Sequence, residues 1–97
     1  MEGRAEEQRH MALSFPNPSR RYDRVRRQVC FWAYDSALEV PIFLDESVLF
    51  HLDPETAEVE AGMLATFDAA RDRIHAVAQR VHSFKKRGFY VLVTSDF

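Results

Sequence analysis

At 97 residues, 46% hydrophobic and 29% charged, the chain is too short for two independent cores and too apolar for a disordered segment. A net charge of −2 argues against general nucleic-acid binding, and no run approaches the roughly 18 apolar residues of a membrane helix. The lone cysteine, Cys30, excludes an internal disulfide and a multi-cysteine zinc site, and it fits a reducing cytoplasm.

Residues 1–10 are polar throughout and carry no secretory leader, so they are expected to be a disordered tail, with residues 11–97 forming a single α+β domain. Met11 opens the first apolar stretch and is expected as the natural start. A purine-rich stretch of ribosome-binding type would encode Glu6-Glu7 just upstream. Ala12–Phe15 has the length of a short strand, stopped by Pro16 and Pro18. Ser19–Arg27 is polar and reads as a loop or one helical turn. Val29–Tyr34 is rich in β-branched and aromatic residues and reads as a strand, with Asp35-Ser36 as turn chemistry. Leu38–Leu44 then alternates, with Leu38, Val40, Ile42 and Leu44 on one face and Glu39, Pro41 and Phe43 on the other, completing an antiparallel hairpin. Pro41 cannot donate to a ladder, which places this strand at an edge or gives it a bulge.

Ser47–Leu52 reads as a short helix ending near Asp53-Pro54, a pair suited to cap and open the helix that follows. That helix begins between Pro54 and Ala61 and runs to about Phe84. Its stripe is Met63, Phe67, Ala70, Ile74, Val77, Val81 and Phe84, at spacings of four and three. Lys85, Lys86 and Arg87 suit its negative end, and Gly88 is a natural stop. Phe89–Thr94 reads as a final strand, free to return to the sheet in either direction. The expectation is an α+β two-layer fold: an antiparallel sheet of three to four strands (the hairpin, the C-terminal strand and a short N-terminal strand) packed on one long amphipathic helix.

Four stretches resemble a known bacterial family. A-L-S-F-P-N-P-S-R-R-Y-D (Ala12–Asp23), F-W-A-Y-D-S-A-L-E-V (Phe31–Val40), F-D-A-A-R-D-R-I (Phe67–Ile74) and the aromatic close at Phe97 are similar to domain of unknown function 1488. The similarity covers nearly the whole chain from Met11. It implies a compact, stand-alone α+β protein and carries over no catalytic residue. Where Ala33 stands the family commonly has glycine, and where Ala70 stands, asparagine.

Three groups of residues are candidates for function. The first strand of the hairpin is apolar on both sides, and one helix layer hides only one of them. Cys30, Trp32, Tyr34 and Phe43 would then line an exposed face, joined from the last strand by Tyr90 and Leu92 or by Phe89, Val91 and Val93. An N-terminal segment bearing Phe15 and Tyr22 could cover this face; uncovered, it suits a homodimer. The second group is Arg20, Arg21, Arg24, Arg26 and Arg27, five arginines against the single acid Asp23, followed by nine acids and no Lys or Arg from Gln28 to Ala70. Such segregation suits self-complementary contacts or, as the alternative, a polyanion. With Trp32 and Tyr34 stacking bases, it would make a weak single-stranded nucleic-acid binder. The third group is the helix flank of Asp68, Arg71, His75 and His82, where His75 would be a general base, Asp68 its orienter and Arg71 an anion anchor. His75 and His82 are too far apart, at roughly 10 Å along the axis, for one metal ion. His10 and His51 are isolated, and Cys30 reads as a buried hydrophobe. No metal or cofactor is expected. The residues favour a non-enzymatic interaction or regulatory module over an enzyme.

Overall fold

The computed structural model describes residues 12–97, so the expected tail over 1–10 and start at Met11 lie outside the described residues. The chain runs β1 (Arg20–Asp23), β2 (Gln28–Asp35), β3 (Leu38–Asp45), α1 (Glu46–Leu52), α2 (Glu60–Ala69), α3 (Arg71–Lys85) and β4 (Tyr90–Leu92), closing in a 3₁₀ turn at Thr94–Asp96. The sheet order is β1-β2-β3-β4.

The hairpin follows its alternation. Cys30 pairs with Phe43, Trp32 with Pro41 and Tyr34 with Glu39, in unbroken register. Its two-residue turn places Ser36 at φ 57°, the positive φ that a primed hairpin turn needs at its first position. Two expectations change at the edges. The segment before the hairpin is a strand, β1, antiparallel to β2 from Arg20↔Phe31 to Asp23↔Gln28. Ala12–Phe15 contributes only one bridge, Ser14↔Tyr34. Pro41 lies on an interior strand, but β4 pairs only with Ile42–Leu44, so β3 is still an edge at Pro41.

The sheet is mixed rather than purely antiparallel, because β4 runs parallel to β3 (Ile42↔Tyr90, Phe43↔Val91, Leu44↔Leu92). The three helices carry the chain back across the sheet between them, which is the crossover a parallel pair requires. The expected long helix is broken at Ala70, whose φ −105° and ψ 14° leave the helical region. A straight helix from Glu60 to Lys85 would run about 39 Å, against roughly 27 Å for a strand of eight residues. The bend lets both halves lay their apolar sides on the sheet. Asp53 does not cap this helix. It closes α1, donating its amide to the Leu49 carbonyl, and α2 starts after Val59.

The core lies between sheet and helices. Val29, Phe31, Ala33, Val40, Ile42, Leu44, Tyr90 and Leu92 meet Val48, Leu49, Met63, Phe67, Ile74, Val77 and Ala78. Two members of the expected faces are exposed. Leu38 sits beyond the reach of β4, and Phe84 lies past the sheet at the end of α3. The inward line of α3 is instead Ile74, Ala78 and His82 at spacings of four. Lys86, in the left-handed conformation at φ 51°, ends α3 ahead of Gly88. No helix among the described residues is long and apolar enough to cross a membrane.

Candidate functional site

The three helices of the described residues pack on one side of the sheet, so the pleat divides each strand between a core face and an outer face. On β2 the outward residues are Cys30, Trp32 and Tyr34, and on β3 they are Phe43, Pro41 and Glu39, each directly opposite its β2 partner. Across β3, Phe43 stands opposite Val91, and its ring meets Phe89 edge-on at 6.4 Å. β4 therefore turns Val91 outward, with Phe89 and Val93 exposed on either side of the strand, while Tyr90 and Leu92 are in the core. Phe89 is 57% and Val91 46% exposed, and Trp32, Tyr34 and Phe43 are half-buried. This is one continuous apolar surface spanning β2, β3 and β4.

Cys30 is part of this face but lies at its floor, 3% exposed, and burial raises its thiol above the ordinary range. A protonated, sheltered thiol is a small hydrophobe rather than a nucleophile. Among the described residues, the leading segment does not cover the face. Leu13 exchanges backbone bonds with the Gln79 amide, and Phe15 stacks on His75 with centroids 3.8 Å apart, both on the helix side. Tyr22, opposite core residue Val29, also turns inward and donates its hydroxyl to Glu46 at 2.7 Å.

The arginine run is divided by the same pleat. Arg20 turns to the helix side and makes a paired contact with Asp68, Nε–Oδ1 3.0 Å and Nη2–Oδ2 2.8 Å. Arg27 meets Glu46 at 3.2 Å. Arg21, opposite Cys30, is on the outer face, and Arg24 and Arg26 are exposed in the β1–β2 turn. An open cleft of about 330 Å³ beside Tyr22 and Met63 sets Arg24 against Glu58 and Glu60. The run thus forms no single basic face.

The helix flank is also divided. Asp68 bonds to Arg20 and, at 2.7 Å, to Arg71, and the Arg20 hydrogen bonds hold its carboxyl below the usual range. The Arg71 guanidinium lies 4.9 Å from the Phe67 ring centre. His75 makes no hydrogen bond to Asp68. It is stacked on Phe15, with the Phe31 ring 5.8 Å away, and burial followed by the Arg71 charge lowers its pKa. The expected base–orienter pair is therefore not assembled. His82 is elsewhere, 2% exposed, with Nε2 2.8 Å from Asp35 and Nδ1 2.5 Å from the Tyr90 hydroxyl. With Nε2–H donated to Asp35, Nδ1 accepts from Tyr90, whose oxygen accepts the Arg87 amide at 2.6 Å. Sequence reasoning missed this chain. Its signal was the spacing of four from Ile74 through Ala78 to His82, which puts a histidine on the buried line. Among the described residues no group of three or more His, Cys, Asp and Glu is placed to hold a metal ion.

Fold and surface together define a small α+β domain with helices on one face of a mixed sheet and an open aromatic face on the other. The chain belongs to the family described as Protein of unknown function (DUF1488), whose model matches residues 13–92. A crystal structure of a DUF1488-family protein of unknown function from Shewanella loihica PV-4 is similar to it at a TM-score of 0.72 and 19% identity, covering 84% of this chain and 92% of that one. That likeness establishes the shared fold. No curated protein shows significant similarity to the chain.

Proposed function

We propose that this protein is a non-enzymatic interaction or regulatory module, residues 11–97 working as one α+β unit that associates with a second copy of itself through the outer sheet face. The observation that carries this reading is the apolar surface from Trp32 over Phe43 to Phe89 and Val91, on the side that none of the three described helices covers. Contiguous exposed apolar area of this kind favours a partner, and isologous pairing is the commonest assembly. The lone, sheltered Cys30 is consistent with a reducing, cytoplasmic setting.

Single-stranded nucleic-acid binding by Trp32, Tyr34 and the Arg20–Arg27 run has less support, because Arg20 and Arg27 are each held by a carboxylate. An enzyme built on Asp68, Arg71 and His75 has less still, since His75 is stacked on Phe15 beside Phe31 and makes no hydrogen bond to Asp68.

Trp32 is the only tryptophan in the chain, so its emission reports this face alone. On dilution, emission is expected to shift to the red as copies separate, and Phe43→Glu is expected to abolish the concentration dependence. Emission that is independent of concentration would count against self-association. If such a chain bound RNA with a steep salt slope, lost on replacing Arg24, Arg26 and Arg27, the nucleic-acid reading would take its place.

A further inference from the structure

The outer face carries formal charge at four positions, and two of them are already engaged. Asp23 accepts the amides of Val25 and Arg26 at 3.0 Å each, and Asp45 caps α1 through Ser47. Arg21 and Glu39 remain. Both are exposed, and neither makes an ion pair among the described residues. Glu39 accepts only the Tyr34 hydroxyl, at 3.2 Å.

Their places in the register are related. Arg21 is opposite Cys30 on β1, and Glu39 is opposite Tyr34 on β3. Trp32 lies on β2, the strand between them, and midway between Cys30 and Tyr34 on the same face. It therefore marks the centre of the line joining Arg21 to Glu39. Any two-fold axis in the plane of the face that exchanges these two positions passes over Trp32.

Resting on the reading of the outer face as a self-association surface, we infer that two copies pair about a two-fold axis at Trp32, each Arg21 lying over the Glu39 of the other copy. The pairing is isologous and closed. It stacks the two indoles at the centre of the contact, where large aromatics contribute most to binding. It also joins opposite charges at both borders, where neither Arg21 nor Glu39 makes an ion pair among the described residues. Complementary rim charges of this kind set register more than they add affinity.

The test is a charge exchange read by sedimentation velocity, with far-UV circular dichroism confirming that each variant is folded. Arg21→Glu alone and Glu39→Arg alone each juxtapose like charges twice, and each is expected to weaken the dimer by about tenfold or more. In the heterodimer of the two variants both borders carry opposite charges and no like pair remains. The mixture is expected to form a heterodimer at least about tenfold tighter than either homodimer. A mixture that associates no better than its parts, beside a wild type whose dimer is broken by Trp32→Glu, overturns the two-fold register and leaves the face reading standing. A wild type that remains at monomer mass overturns both.

Discussion

The imidazole of His82 lies 2.8 Å from the carboxylate of Asp35, tying the last turns of α3 to the end of β2. Tyr90 and the Arg87 amide continue the chain of bonds into β4. Three elements distant in sequence are thus held by one buried polar chain. His82→Ala leaves the Tyr90 hydroxyl and the Asp35 carboxylate without this partner, and it is expected to lower unfolding free energy by about 3 kcal/mol. Tyr90→Phe removes one hydroxyl and is expected to cost about 1–2 kcal/mol. Urea unfolding of both variants checks the order; equal, negligible losses would mean the chain is ornamental to stability.

His75, stacked against Phe15, has its pKa held below the ordinary value of about 6.5, chiefly by burial and then by Arg71. The folded state therefore binds the proton less readily than the unfolded chain. The stabilisation is complete above the unfolded pKa and is lost as pH falls through that value toward the depressed folded one. Stability is expected to decline from pH 7.5 to pH 5, and His75→Phe, which keeps a ring on Phe15, is expected to flatten that decline. Asp68, lowered by Arg20, contributes in a separate and more acidic window, lost as pH falls through its depressed folded pKa. Unfolding curves at several pH values separate the two.

Gly62 opens α2 against the loop before it. A Cβ there would stand 2.5 Å from the Ala57 carbonyl oxygen and 2.8 Å from the Ala57 Cβ. Alanine gains roughly 1 kcal/mol of helix propensity over glycine, but the obstacle is backbone and has to move. Gly62→Ala is expected to be destabilising on balance by about 1–2 kcal/mol. Thermal unfolding gives the sign, and a stabilised variant would show that the loop yields freely.

Lys86 ends α3 in the left-handed conformation at φ 51°, which costs a non-glycine residue roughly 1–2 kcal/mol. Glycine relieves that strain but adds freedom to the unfolded chain. Lys86→Gly is expected to gain about 0.5–1 kcal/mol net. The same measurement at Gly88, where an added Cβ meets nothing within 4 Å and φ is not positive, isolates the entropy contribution: Gly88→Ala should gain about 0.4–1 kcal/mol.

The hairpin was legible because its apolar residues alternate without a break, and the helical region because its stripe recurs at three and four. β1 was not legible, because an edge strand written Arg20-Arg21-Tyr22-Asp23 has no apolar alternation. Its place comes from tertiary bonds, Arg20 to Asp68 and Tyr22 to Glu46. The bend at Ala70 accompanies the mismatch between helix length and strand length, a quantity that local periodicity does not contain. The direction of β4 was open for the same reason. The outer face followed from counting layers, and Cys30, Trp32, Tyr34 and Phe43 do stand together on it. The arginine run and the Asp68–His82 flank read as clusters only along the chain, since neighbouring strand residues point to opposite sides and helix residues past the bend turn to new partners.

The reading of this protein depends on whether its outer face meets another copy. Sedimentation equilibrium of the wild type and of Trp32→Glu, across a dilution series, addresses this directly. The wild type should approach twice the 11.3 kDa of one chain, while folded Trp32→Glu should stay at the single-chain mass. A wild type fixed at 11.3 kDa, or a Trp32→Glu variant as dimeric as its parent, would contradict it.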